Sequence, residues 1–136
     1  MNFDFLRKLF KDNQMRVYAV PGLLDASETE EQLVRDFVRL TPVDRMRSII
    51  KYGESGNKEY FYLLKWVVFY DLDKSIKFAA LKRLHLFKDN SDVVTALNEL
   101  SHHTETLDLE PYYSMALSRV GMISENEFRE RMNNAR

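Results

Sequence analysis

Among the residues able to do chemistry, the densest group is Glu99-Leu-Ser-His102-His103. Glu-x-x-His sets a carboxylate and an imidazole one helical turn apart, the spacing that helical metal sites use. A metal centre needs further ligands from other elements. Glu105 is near, but the third histidine, His85, belongs to the preceding helix. Histidines at the end of a helix are also favoured by its dipole alone. No metal and no other cofactor is therefore expected. Asp71 and Asp73 form a second carboxylate pair. General acid–base work would need them to converge on one substrate, whereas their position at a helix break suits capping. Gly53-Glu-Ser-Gly56 has the GxxG spacing of a loop that clamps nucleic-acid backbone, but such a loop needs a supporting sheet, so a turn is expected. Lys74, Lys77, Lys82, Arg83, His85 and Lys88 make one segment locally basic. Read as a continuous helix, it brings Lys74, Lys77, His85 and Lys88 to one side, where they could meet phosphate.

Nothing else in the sequence carries a catalytic pattern. There is no GxSxG, no phosphate-binding Walker loop and no HExxH. The absence of cysteine excludes disulfides, thiolate catalysis and cysteine zinc sites. With 20 basic and 21 acidic residues the net charge is −1, which argues against a dedicated nucleic-acid binder or a polybasic membrane-surface protein. Charges interrupt the apolar residues from position 4 onward, and Lys65 cuts the longest apolar run. Neither a signal peptide nor a membrane span is expected, and a cytoplasmic protein is the simplest reading.

The elements that must position these residues are all helical. Residues 3–11 have apolar spacing for a short amphipathic helix, and Val17–Val20 suits extended chain before the turn signal Pro21-Gly22. Ser27 is the expected N-cap of a helix to about Leu40, with Glu28, Glu30 and Glu31 in its first turn. Thr41-Pro42 starts the next, expected to end at Gly53. Tyr60–Tyr70 is the most apolar helix. Asp73 caps a helix over 74–87, and Asn90 or Ser91 caps one over 92–102. Residues 104–108 are expected as loop. Glu110-Pro111 opens a helix ending at Gly121, and Ser124 with Glu127 forms a capping box for the last one. The 136 residues, 45% of them hydrophobic, are expected to form a single domain with a substantial core.

Ala80-Leu-Lys-Arg-Leu-His-Leu-Phe87 echoes Ala116-Leu-Ser-Arg-Val-Gly-Met-Ile123, 36 positions further on, and a period of that size marks stacked helical pairs. Asp71-Leu-Asp-Lys-Ser-Ile-Lys-Phe-Ala-Ala-Leu-Lys-Arg-Leu84, followed by Asp92-Val-Val-Thr-Ala-Leu-Asn-Glu-Leu100, resembles a HEAT-type repeat. Its features are an Asp before the first helix, a basic residue (Lys77) and Ala-Ala-Leu within it, and a Val/Leu-rich second helix. The resemblance extends loosely over 109–134 and more weakly over 42–70. Pro111-Tyr112-Tyr113 departs from the usual start. The resemblance implies antiparallel helical pairs stacked as a short, irregular right-handed array. Residues 1–40 would form an N-terminal cap, and 41–136 about three pairs: 42–70, 74–103 and 109–134. It also implies a protein-binding role, since such arrays mostly serve as scaffolds or adaptors.

On a helical wheel, Lys58, Tyr62, Lys65, Trp66 and Phe69 share one side of the Tyr60–Tyr70 helix, opposite Leu63, Leu64, Val67 and Val68. Aromatic anchors beside cations are what binding hot spots use. The alternative is a helix buried on both sides, its lysines snorkelling to solvent. Thr95, Glu99 and His102 face away from the core side of the following helix and would extend the same surface. The expected function is a non-enzymatic protein-interaction module whose partner-binding residues are Lys58, Tyr62, Lys65, Trp66, Phe69, Thr95, Glu99 and His102. Its lysines would pair with acidic groups on the partner. Self-association is open, because three pairs without polar caps leave an apolar end. The alternative function is nucleic-acid binding through the basic helix 74–88.

Overall fold

The computed structural model describes residues 20–87, 91–103 and 106–134, and these residues are all-helical, without a strand. Seven α-helices follow in order: α1 (Glu28–Val38), α2 (Pro42–Ser55), α3 (Phe61–Tyr70), α4 (Lys74–Leu81), α5 (Ser91–His103), α6 (Tyr112–Arg119) and α7 (Glu125–Asn134). Short 3-10 turns occupy Lys58–Tyr60, Leu84–Phe87 and Thr106–Leu109. The expectations for residues 3–11, 17–19, Lys88, Asn90, Thr104 and Glu105 lie outside the described residues.

Side-chain caps set most of the starts. Ser27 and Glu30 form a reciprocal capping box at α1: the Glu30 N–H donates to Ser27 Oγ at 3.1 Å and the Ser27 N–H to Glu30 Oε1 at 2.9 Å. Thr41 accepts from the Asp44 N–H at 3.2 Å, with Pro42 at the first helical position of α2. Asp73 accepts from the Ser75 N–H at 2.9 Å, and Ser124 from the Glu127 N–H at 3.0 Å.

Residues expected as loop carry the 3-10 turn Thr106–Leu109, the next helix ends at Arg119 rather than Gly121, and two further boundaries differ from expectation. Helix α2 runs through Gly53 and ends at Gly56, whose φ of +61° is the left-handed conformation that glycine tolerates. Gly53 is instead a contact position. A Cβ there would stand 2.7 Å from Cδ of Arg83, so the missing side chain makes room for the arginine stem that lies across α2. Helix α4 stops at Leu81. At that end the Arg83 N–H bonds to the Ala80 carbonyl, and its guanidinium turns back to the Ala79 carbonyl at 2.9 Å and to Glu54 at 3.2 Å. The helical wheel drawn through 74–88 therefore does not apply beyond Leu81.

Helix α3 lies at the centre. It packs against α1, α2, α4 and α5, and α4 in turn packs against α2 and α6. Leu63, Leu64, Val67 and Val68 are fully buried, and they join Val34, Ile49, Ile76, Leu84, Leu97 and Leu100 in one apolar cluster. The echoed segments meet directly, with Arg119 of α6 donating to the Lys82 carbonyl at 3.1 Å. Helix α5 reaches the core through Val93, Ala96, Leu97 and Leu100, against α3 and the turn Leu84–Phe87. Helix α7 has no fully buried residue and rests on α6.

One charged pair is built into this interior. Asp71, at the end of α3, is 2% exposed, and both its oxygens accept from Arg45 Nη1 of α2 at 3.2 and 3.0 Å. Its Oδ1 also accepts the Asp73 N–H at 2.8 Å, so the carboxylate closes the α3–α4 corner as well as pairing with α2. Burial pushes its pKa up, outweighing the Asp73 N–H and Arg45, which pull it down.

Candidate functional site

The aromatic side of α3 is not bare. Residues 20–26 cross it as a strap and are fastened by hydrogen bonds to backbone carbonyls. Trp66 Nε1–H donates to the Pro21 carbonyl at 2.8 Å, and the Tyr62 hydroxyl donates to the Gly22 carbonyl at 2.6 Å. Gly22 has φ of +72°, and a Cβ on it would collide with the Tyr70 ring. Pro21 presets the turn and Gly22 supplies both the left-handed backbone and the close approach.

Between strap, α3 and α5 lies a groove of about 280 Å³. The strap contributes Gly22, Leu24 and Asp25. Helix α3 contributes Tyr62, Lys65, Trp66, Phe69 and Tyr70, and α5 contributes Glu99 and His103. A shallower depression continues from it, bordered by Asp25, Glu30, Lys58, Tyr62, Lys65, Asp92 and Thr95.

Seven of the eight residues expected on the binding face thus border these two adjoining hollows. Lys58 and Thr95 lie in the shallow part, Trp66, Phe69 and Glu99 in the groove, and Tyr62 and Lys65 in both. Trp66 differs from the expectation of an exposed anchor. It is only 6% exposed, stands edge-on to Phe37 with centroids 6.5 Å apart, and is held by Pro21. It forms the floor, while the half-buried Tyr62, Lys65 and Phe69 form the accessible wall. His102 does not line the groove. One residue on, a rotation of about 100° brings His103 over instead, its ring 4.9 Å from Phe69 and edge-on to Tyr70 at 5.2 Å. Leu24, which the sequence reading passed over, is fully exposed at the mouth. Its signal was positional: an apolar residue just after a Pro-Gly turn.

Carboxylates and lysines both border the groove. The Tyr62 phenol is pushed up, first by burial and then by Asp25, Glu30, Tyr70 and Glu31. Lys65 places its ammonium 6.0 Å from the centre of the Tyr62 ring, at the outer limit of a cation–π contact.

The other sequence candidates are engaged elsewhere. Lys74 pairs with Asp108 at 3.8 Å, Lys82 lies 4.7 Å over the Tyr112 ring, and Arg83 holds Glu54. Burial pushes the Lys77 ammonium down, against the opposing pull of Asp71. Asp73 is a cap and Asp71 an ion-pair partner. Among the described residues, no three His, Asp or Glu side chains converge to hold a metal ion. No described helix is long and apolar enough to cross a membrane.

No family model, no curated protein and no solved structure matches the chain. The resemblance to HEAT-type repeats therefore rests on the residues of the sequence themselves, those of 74–103 most of all.

Proposed function

We propose that this protein is a non-enzymatic interaction module, built as a short HEAT-like array of helical pairs, that receives a partner in the groove between its strap, α3 and α5. One observation carries the reading. Half-buried aromatic side chains, Tyr62, Phe69 and Tyr70, converge on a hollow with the fully exposed Leu24 at its mouth. Apolar side chains held open to solvent beside a preformed concavity are the signature of a docking site. At about 280 Å³ the hollow lies just under the roughly 300–1,000 Å³ of small-molecule sites, so it suits one inserted side chain. Stacking is supported by the contact of α4 with α6 and by the buried Ala80 and Ala116 of the echoed segments.

The partner-binding residues in this reading are Lys58, Tyr62, Lys65, Phe69, Thr95 and Glu99, with Trp66 beneath and Leu24 and His103 at the edge. A photoreactive amino acid at position 24, compared with one at the exposed position 130 on α7, tests it. Cross-linked adducts in the native cell from position 24 and not from position 130 are expected. Equal adducts from both positions, or none from position 24, overturn the reading.

A further inference from the structure

The strap, α1 and α5 surround the groove with acid. Asp25 and Glu99 stand at the groove itself, and Glu30 and Asp92 border its shallow continuation, against Lys58 and Lys65. Beyond them, Glu28, Glu31, Asp36 and Glu59 border the next depression, which no lysine or arginine lines. The protein's near-neutral net charge hides this asymmetry. The compensating cations Lys82, Arg83 and Arg119 gather around a separate hollow with His85. Among the described residues, the side chains of Asp25 and Glu99 are exposed and form no hydrogen bond or ion pair, so both carboxylates are open to a ligand.

The groove wall suits a cation for a second reason. Aromatic ring faces carry negative charge density and attract ammonium and guanidinium groups. Lys65 already rests at the Tyr62 ring, so the chain itself supplies a cation where an incoming one would sit. The Tyr62 phenol is pushed up by burial first, and the nearby Asp25, Glu30 and Glu31 add to that push.

We propose that the groove takes a lysine or arginine side chain from a positively charged peptide segment of a partner, its cation against the Tyr62 and Phe69 rings and between the carboxylates of Asp25 and Glu99. This rests on the interaction reading above and gives the partner its chemistry. It reverses the expectation that Lys58 and Lys65 meet acid on the partner. Lys65 is then a competitor that the incoming cation displaces.

Trp66, the single tryptophan, lies at the floor and reports occupancy by its own fluorescence. The full chain is titrated with an acetylated, amidated tetra-arginine peptide and with its tetra-glutamate counterpart. The arginine peptide shifts the emission saturably and the glutamate peptide does not. Asp25→Asn and Glu99→Gln each weaken binding about twofold to fivefold, the range of single exposed ion pairs, and Lys65→Met strengthens it by a similar factor. Glu130→Gln on α7 changes nothing. Preference for the glutamate peptide, weaker arginine-peptide binding by Lys65→Met, or equal losses at positions 99 and 130 overturn the proposal. So does an emission shift that follows protein concentration without peptide and accompanies a doubled solution mass, since a second copy then fills the groove. Adducts from position 24 with a flat arginine titration remove the charge assignment and leave the interaction reading standing. No adducts from position 24 remove both.

Discussion

The two sides of α3 are both covered, but by different means. On one side Leu63, Leu64, Val67 and Val68 meet α1, α2, α4 and α5 with no exposed surface left. On the other, aromatic side chains with polar tips meet seven residues of irregular chain, held through two hydrogen bonds and one glycine contact. An aliphatic face can be closed by any complementary apolar surface. An indole N–H or a phenol needs an acceptor when it is buried, and here those acceptors are backbone carbonyls of the strap. The strap satisfies them but is too narrow to cover the rings. What remains is a groove whose wall is apolar and whose rim is charged.

The aliphatic face is the more sensitive of the two to truncation. Leu64→Ala, at a position with no exposure, should cost about 2–5 kcal/mol through lost transfer energy and an unfilled cavity. Urea denaturation checks it. A loss below about 1 kcal/mol would mean that this face is no better packed than the strap side.

The Asp71–Arg45 pair comes next. Asp71→Asn leaves donors around one buried carboxyl oxygen, the Asp73 N–H and Arg45 Nη1, short of an acceptor and should cost about 1–3 kcal/mol at pH below the ordinary aspartate range. Its pH dependence has a definite sign. Because the folded carboxyl has its pKa raised, the folded state holds its proton more tightly than the unfolded chain. Asp71's contribution is then fully present below the ordinary aspartate value and declines as pH rises through the higher folded value. The stability difference between the protein and Asp71→Asn, followed from about pH 3 to about pH 6, should shrink with rising pH. A difference that grows instead would mean that Arg45 outweighs burial.

On the strap side the effects are smaller. Gly22→Ala forces a side chain into the Tyr70 ring at a left-handed φ and should cost about 1–3 kcal/mol. It should also raise hydrogen exchange in residues 20–26 without changing exchange at Leu64. Tyr62→Phe deletes only the bond to the Gly22 carbonyl and should cost about 0.5–1.5 kcal/mol in urea denaturation. If it matched Leu64→Ala, the strap would be as integral to the core as the aliphatic face.

The same contrast explains what could be read from sequence. Local signals gave the caps at Ser27, Thr41-Pro42, Asp73 and Ser124, because each acts on N–H groups two or three residues away. The helical period placed Tyr62, Lys65, Phe69 and Glu99 on surfaces that face one another. Nonlocal contacts were invisible. The bare Cα of Gly53 depends on where Arg83 lies. The seat of Trp66 under the strap was not legible, because its partner, Pro21, is 45 residues away and bonds through a backbone carbonyl that no side-chain pattern announces. His103 replaced His102 because a one-residue shift on a helix turns a side chain by about 100°.

On this account the strap leaves a groove on α3 that is open to a cationic side chain. Chemical-shift mapping by heteronuclear NMR, titrating the full chain with the tetra-arginine peptide, addresses it most directly. Shifts concentrated at residues 22–25, 62–70 and 92–103, with 43–54 and 125–134 unmoved, are the predicted result. Shifts centred on α2 or α7, or none at saturating peptide, would contradict it.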